Sequence, residues 1–555
     1  MPTPLRRAAS TAGAALLAVA LAATTGCSAD GGSSADGSGG KPVKGGSLTF
    51  AVGSEPSCLD PHVSPTDASA VIQRGVFDSL VSEDGNGTVH PWLATSWKIS
   101  PDGLSYDFTL REDVLFHDGT KLDAAAVKAN FDQITAPETK SAYAASLFGP
   151  SYKGTTVTGK NTVRVSFSRP FSPFLQAVST TYLGIESPKA LKAGSSALCA
   201  GGTHSVGSGP FVEASRTVGR QIVFHRNPAY KWGPQDGGYN GPAHLDTFTI
   251  RFLTDDTTRL GTLTSGQIDA AVVPVIAATQ VRTDPRLRLL SHQSPGAVYG
   301  LQLNTTRAPL SDQRVRTALL HALDVDSLVT AIYLGIYQRA WSPLSPSTPN
   351  AYDSALKDSW AYDPKQASAL LDQAGWTGRD KQGYRTKDGK RLTLSWPILA
   401  ANVTRDQRGA LADGMKSEAK AVGIELKQVV VDSGGYFKAA YSADYDVLDL
   451  SWSRGDGDIL RGLYFGGANL EKGGQNASRI DDPQVDSWLL AASATTDPAQ
   501  RKAAYAKVQQ WVIDHAVTVP LYVGTYLLGT SKSVQGVAFD VSGWPQFARA
   551  WTTGR

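Results

Sequence analysis

The sequence predicts an α/β protein of more than one domain. Three observations carry that reading. Short strand-like runs recur between helix-spaced segments along the chain, the pattern of strands and helices packed on one another. At 555 residues the chain is too long for a single hydrophobic core. Its 41% hydrophobic and 19% charged residues are an ordinary globular composition, so most of the chain buries a core.

Taken in order, the first element is an export signal. Arg6 and Arg7 precede an apolar run at 12–23, which ends in Thr24-Thr25-Gly26-Cys27. The run is too short and too one-sided to span a membrane, and residues 1–26 read as a signal peptide. A small residue before cysteine at this place resembles a bacterial lipobox, which makes Cys27 a lipidated first residue of the mature chain. Thr24 stands where that pattern prefers leucine, and cleavage to a soluble secreted product is the alternative. The Arg6-Arg7 pair leaves a twin-arginine route open. Residues 28–40 are a Gly/Ser/Asp tether with nothing to pack, so 27–44 read as anchor plus flexible link.

The formal charge of +3 falls to about +1 without Arg6 and Arg7. No strong field favours nucleic acid or an anionic membrane surface. Cys58 and Cys199 remain beside Cys27, and an oxidising compartment permits their pairing. Two separate buried thiols are the alternative. No later apolar run reaches about 18 residues, the length of a spanning helix.

The folded body begins near Gly45. Residues 47–52 alternate as a strand, and 69–80 have helical spacing at Val71, Val76 and Leu80. Residues 97–100 and 105–111 flank Pro101-Asp102-Gly103 and read as a hairpin. Asp123 is an N-cap for a helix through Val127, Phe131 and Ile134. Asp363-Pro364 opens a helix that stops at Gly375, and Asp497-Pro498 opens a long one through Val508 and Val512. Residues 311–323 and 326–334 form a helix pair, with Arg316 expected on its polar surface. Further strands are expected at 244–252, 297–304, 391–396, 425–431 and 445–452.

Four motifs are specific. Residues 91–134 read PWLATSWKISPDGLSYDFTLREDVLFHDGTKLDAAAVKANFDQI. Gly207-Ser208-Gly209-Pro210-Phe211 precedes IVFHRNPAYKW at 222–232, LTSGQIDA occupies 263–270, and LNTTRAPLSDQRVRTALLHAL occupies 303–323. In this order they resemble the peptide/nickel-type extracellular solute-binding proteins, the family 5 class that includes oligopeptide and dipeptide receptors. The resemblance runs from about Gly45 to the end. It implies an α/β, two-lobed periplasmic-binding-protein fold (class II, large type) with an extra subdomain on the first lobe. On that model lobe I is 45–294, with the extra subdomain at about 69–200. Lobe II is 295–526, and 527–555 return to lobe I. The crossings would fall near 295–297 and 527–529, and the lobes close on a solute by hinge motion.

The resemblance also implies a role: a monomer that captures a peptide or peptide-like solute and delivers it to the permease subunits of an ABC transporter. A receptor for a metal–chelator complex is the alternative solute class, and delivery to a signalling partner is a third reading. Three stretches should face the cleft: 53–56 with Glu55, the loop after Trp396 with Asn402, and 452–458 with Trp452, Arg454, Asp456 and Asp458. In peptide-binding relatives an aspartate in the last stretch pairs with the peptide ammonium, and Asp456 or Asp458 matches it best. Turn and cap roles are the bland reading of both. In dipeptide-binding relatives an arginine after the middle stretch takes the peptide carboxylate. Here 398–404 hold none, and the first is Arg405.

Nothing catalytic competes. Residues 154–160 (GTTVTGK) approach a P-loop, but Asn161 replaces the required Ser/Thr and the context reads strand–turn–strand. Ser354-x-x-Lys357 and Ser417-x-x-Lys420 lack the Lys-Thr-Gly of penicillin-recognising enzymes, and no Gly-x-Ser-x-Gly elbow supports a secreted hydrolase. The nine histidines show no metal-ligand spacing, so neither structural zinc nor a cofactor is expected.

Overall fold

The computed structural model describes residues 41–553 apart from 142, 237, 238 and 473. The signal segment, Cys27 and the tether through Gly40 lie outside the described residues.

Two sheets organise the body. The opening strand Ser47–Val52 lies at the centre of a seven-stranded sheet, parallel to Thr247–Phe252 on one side and Ala270–Val272 on the other. Leu48, Phe50 and Ala51 are fully buried there, as a strand covered on both faces requires. A four-stranded sheet orders Gln338–Arg339, Thr518–Val523, Gly296–Leu303 and Val447–Ser453, and every residue of Gly296–Leu303 is buried. A parallel pair, Thr393–Leu399 and Glu425–Val431, is joined by the helix Arg408–Val422.

The chain passes between the two large sheets twice. Leu287–Gln293 of the first leads through Ser294 and Pro295 into Gly296–Leu303 of the second. Thr518–Val523 of the second leads through Gly524 into Thr525–Ser531 of the first. Gly296 has φ +93°, and a Cβ there would stand 2.3 Å from the Trp452 carbonyl oxygen, so only glycine fits this crossing. Residues 527–529, where the second crossing was expected, are already paired inside the first sheet. Apolar character runs unbroken from Val519 to Leu528 apart from Gly524 and Thr525, so no change of period marks the passage.

A four-stranded antiparallel sheet, Ala94–Ile99, Ser105–Leu110, Thr162–Phe167 and Tyr152–Gly159, carries the helix Ala124–Thr135. Its core is aromatic: Phe131 meets Phe148 edge-on at 5.0 Å and Tyr106 meets Phe174 at 5.5 Å. The P-loop-like run at 154–160 falls in the strand Tyr152–Gly159 and the turn after it.

Helix starts follow their caps. Asp123 accepts from Ala126 N–H, Asp363 from Lys365 and Gln366, and Asp497 from Ala499 and Gln500. Each cap is worth about 1 kcal/mol. Two expectations shift. The helix expected over 69–80 is Asp67–Gln73, started by Thr66. It stops because the next turn is taken by close packing: a Cβ on Gly207 would stand 2.0 Å from the Val76 carbonyl oxygen. Arg316, expected at the surface, is 7% exposed and donates to the carbonyl oxygens of Leu310 (2.8 Å) and His515 (3.1 Å). Its charge is absorbed by main chain, tying the helix Gln313–Ala322 to the segment before Thr518–Val523.

Candidate functional site

The strand Val447–Ser453 delivers the segment expected to hold the solute. Beyond it, Gly455 lies against Val541 and Glu83, and Gly457 against Ala351 and Tyr505. Half-buried Trp452 stacks on Tyr143 at 5.8 Å and 18°. Tyr143 meets Tyr182 edge-on at 4.7 Å, and Tyr182 meets Trp544 at 6.2 Å. The indole N–H of Trp452 is buried with no acceptor. Nearby, Ser172 N–H donates to the Ser493 carbonyl at 2.7 Å and Asn350 to the Asn86 carbonyl at 3.0 Å. The two walls therefore touch.

The two aspartates of this segment are spoken for. Asp456 is 6% exposed, and Arg501 Nη2 reaches its two oxygens at 2.9 and 2.8 Å. Asp456 Oδ1 also accepts Asp458 N–H at 2.7 Å. Asp458 is fully buried and receives Arg461 Nε and Nη2 at 3.0 and 2.8 Å, with Ser493 Oγ at 3.3 Å. Arg454 is buried, with Nη2 3.8 Å from Asp458. These charges form a network within 454–501, against which Tyr143 and Glu83 lie.

The other expected residues divide. Trp396 is fully buried and donates to Asp449 Oδ1 at 2.9 Å, a core position. Glu55 is held by Arg216 Nη2 at 2.7 Å and by Gly219 N–H at 2.6 Å, bracing the hairpin Phe211–Thr217/Gln221–Arg226. Asn402 is half-buried on the short helix Ala400–Thr404. Cys58 and Cys199 form a disulfide. Trp452 and Arg454 thus meet the aromatic wall, whereas Glu55 and Trp396 are engaged elsewhere.

Sequence reasoning missed Asp67 and Glu83, and met Arg405 only as the first arginine beyond the middle stretch. Asp67 begins the helix Asp67–Gln73, with Tyr182 Oη 3.3 Å away. Burial raises its pKa to about 6, against the pull of the Arg405 charge and the Tyr182 hydroxyl. Arg405 is 60% exposed and precedes two consecutive left-handed residues, Asp406 (φ 48°) and Gln407 (φ 57°). Non-glycine residues hold that conformation at a cost of about 1–3 kcal/mol each, so the packing around them dictates it. Asp406 accepts from Tyr337 at 3.2 Å and lies 3.7 Å from Arg408, which fixes the turn. Glu83 ends the strand Val81–Glu83 facing 454–456, with no ion-pair partner among the described residues. Burial, then the Asp456 charge, holds its carboxyl well above the usual range. Proximity of Asp67 to Arg405 arises between segments more than 300 residues apart, which no local pattern announces.

Two sheets joined by two crossings, with an aromatic and charged seam between walls, define a two-lobed solute-binding protein. The comparisons make the class definite. The model of the bacterial extracellular solute-binding proteins, family 5, matches residues 88–472, well over half of the chain, and the chain belongs to that family. It is a transport binding protein and not an enzyme. It is similar to the glutathione-binding protein GsiB of Salmonella paratyphi A, 28% identical over 493 residues, covering 88% of this chain and 91% of that protein. Among solved structures it is similar to NikA from Brucella suis in complex with Fe(III)-EDTA (26% identity, 92% and 100% of the two chains, TM-score 0.78). It is also similar to the ABC transporter-associated periplasmic binding protein DppA from Helicobacter pylori in complex with the peptide STSA (25%, 92% and 99%, TM-score 0.78).

Proposed function

We propose that this chain captures a short peptide or peptide-like solute between two lobes and delivers it to the permease of an ABC importer, held at the membrane by lipid on Cys27. Lobe I would comprise 45–294 and the return from Thr525, with the subdomain at about 69–200, and lobe II the chain between the crossings. The observation that carries the reading is opposite charge on facing walls. Asp67 is a carboxylate raised by burial, and Arg405 is a cation held out on a strained turn. A zwitterion with separated ends satisfies both, which is the chemistry of a peptide. The unmet Trp452 N–H is a donor for a ligand carbonyl, and Tyr143, Tyr182 and Trp544 supply apolar wall. Arg454, Asn402 and the paired Asp456 and Asp458 complete the proposed wall, the last two by holding Arg501 and Arg461 in place.

The relatives' names span a glutathione binder, a peptide complex and an Fe(III)-EDTA complex. The test is a thermal-shift and calorimetric screen of the full chain against di- to hexapeptide pools, glutathione, metal–chelator complexes and oligosaccharides. A ligand at 100 times its Kd stabilises by about 2.7 kcal/mol. The expected result is a peptide or glutathione shift that Asp67→Asn and Arg405→Ala each diminish. A shift with chelates or sugars alone overturns the ligand class.

A further inference from the structure

A second carboxylate cluster lies outside the seam, where the chain leaves the opening strand. Asp60, His62 and Glu186 are 1%, 0% and 0% exposed. Each offers a ligand atom, and these atoms all lie within 4.8 Å of one another. Both carboxylate oxygens of Glu186 and Oδ2 of Asp60 are buried with no hydrogen-bond partner. No arginine or lysine pairs with either residue among the described residues. Two adjacent buried carboxylates that were both ionised would cost several kcal/mol, so either a proton or a cation belongs between them.

The frame around them is rigid. Glu186 is locked on both sides of its backbone by one side chain: Asn130 Oδ1 accepts its N–H and Asn130 Nδ2 donates to its carbonyl, both at 2.8 Å. Asp60 Oδ1 is fixed by the His62 N–H at 2.8 Å, which aims Oδ2 inward. Ser64 N–H closes the turn on the Asp60 carbonyl at 2.9 Å. The Cys58–Cys199 disulfide stands two residues away and ties the same loop. The Asp60 carboxylate cannot swing to water without breaking its bond to His62 N–H, and Glu186 is held in place through its backbone.

We propose that Asp60 and Glu186 bind a divalent cation, bracing residues 58–64 against 184–187. The chemistry of the donors selects its class. His62 Nδ1 lies 2.9 Å from Gln133 Oε1 and Nε2 lies 2.7 Å from the Gly184 carbonyl, so its ring is engaged at both ends. The free donors are three carboxylate oxygens, a hard set that suits Ca²⁺ or Mn²⁺ rather than zinc. Oxygens sharing a Ca²⁺ at about 2.4 Å stand no more than about 4.8 Å apart, and one oxygen from each carboxylate lies within 4.8 Å of the other. Metal-ligand spacing is invisible in the sequence because the two carboxylates lie 126 positions apart and meet only through the fold.

The full chain, stripped with EDTA and dialysed, is melted with CaCl₂, MnCl₂ or MgCl₂ added singly, and bound metal is counted by mass spectrometry. The expected result is one Ca²⁺ or Mn²⁺ per chain and a saturable rise in Tm of about 2–3 °C at 100 times Kd. Affinity should fall in the range of about 10⁻⁴–10⁻³ M, as for extracellular modules. Glu186→Gln, nearly isosteric, and Asp60→Asn should each weaken it at least tenfold, while Arg405→Ala leaves it unchanged. Wild-type chain that retains no ion and shows no shift up to about 10 mM overturns the proposal, whatever the variants do. A rise in melting temperature as pH falls that Glu186→Gln abolishes, without any ion effect, assigns the pair to a shared proton and overturns it too.

Discussion

Two sets of acidic residues approach the seam, and they are built differently. Asp456 and Asp458, on the segment after Val447–Ser453, are buried and each is grasped by an arginine from its own neighbourhood. Asp67 and Glu83, on the opposite wall, have no such partner, and burial raises both. The difference separates structure from function by electrostatics. A paired buried carboxylate has spent its charge inside the protein. An unpaired one stores an unfavourable charge that a cationic ligand group can relieve.

The sharpest way to break this comparison is to remove one paired carboxylate. Asp458→Ala leaves the half-buried Arg461 and the buried Arg454 without their carboxylate, and losing one partner of a buried pair costs about 3–5 kcal/mol. Urea denaturation should show the loss as a lower midpoint at unchanged slope. If the variant instead keeps its midpoint and loses only solute affinity, Asp458 belongs with Asp67, and the division fails.

The next effect is a pH dependence of opposite origin. An acid whose folded pKa is raised, here from 3.8 to about 6, holds its proton more tightly when folded. Between those values the folded state binds more protons, so stability falls as pH climbs through that window and the penalty is complete above about pH 6. Its size is at most about 3 kcal/mol. Other raised groups, Asp78 (to about 7) among them, slope the same way. The quantity to measure is therefore the difference between wild type and Asp67→Asn from pH 4 to 8. A constant difference would show that Asp67 carries no stored penalty. Solute binding should tighten over the same interval as the carboxylate ionises.

Legibility differed by range. Caps at Asp123, Asp363 and Asp497 were readable because each uses a donor two or three residues away. The strand at 425–431 was readable from its β-branched run Val429-Val430-Val431, although only Leu426 is buried and Val430 is 56% exposed. The helix at 69–80 overran because its true end is set by the approach of Gly207, 131 positions beyond Val76. The seam was legible as a segment, 452–458, and not as chemistry. A sequence shows that Asp456 and Asp458 are acidic but not that Arg501 and Arg461 already hold them. Nor does it show that Asp406 and Gln407 adopt left-handed backbone without glycine, which carries Arg405 outward.

A smaller effect sharpens the comparison from the ligand side. Asp67→Asn keeps the shape and the Tyr182 contact but removes the charge. If Asp67 takes the ammonium of a peptide, the substitution should weaken binding about tenfold, a typical worth of one charge-assisted hydrogen bond in free energy. Stability should hold or rise, because a half-buried carboxylate no longer needs protonating. The same substitution at Asp456 should do the reverse, costing stability through Arg501 and touching affinity only as the wall loosens. Calorimetry and melting on both variants give four numbers. Two opposite signs across the pair make the unpaired wall the ammonium site. A matched loss of affinity in both returns that role to the segment after Val447–Ser453, where the sequence first placed it.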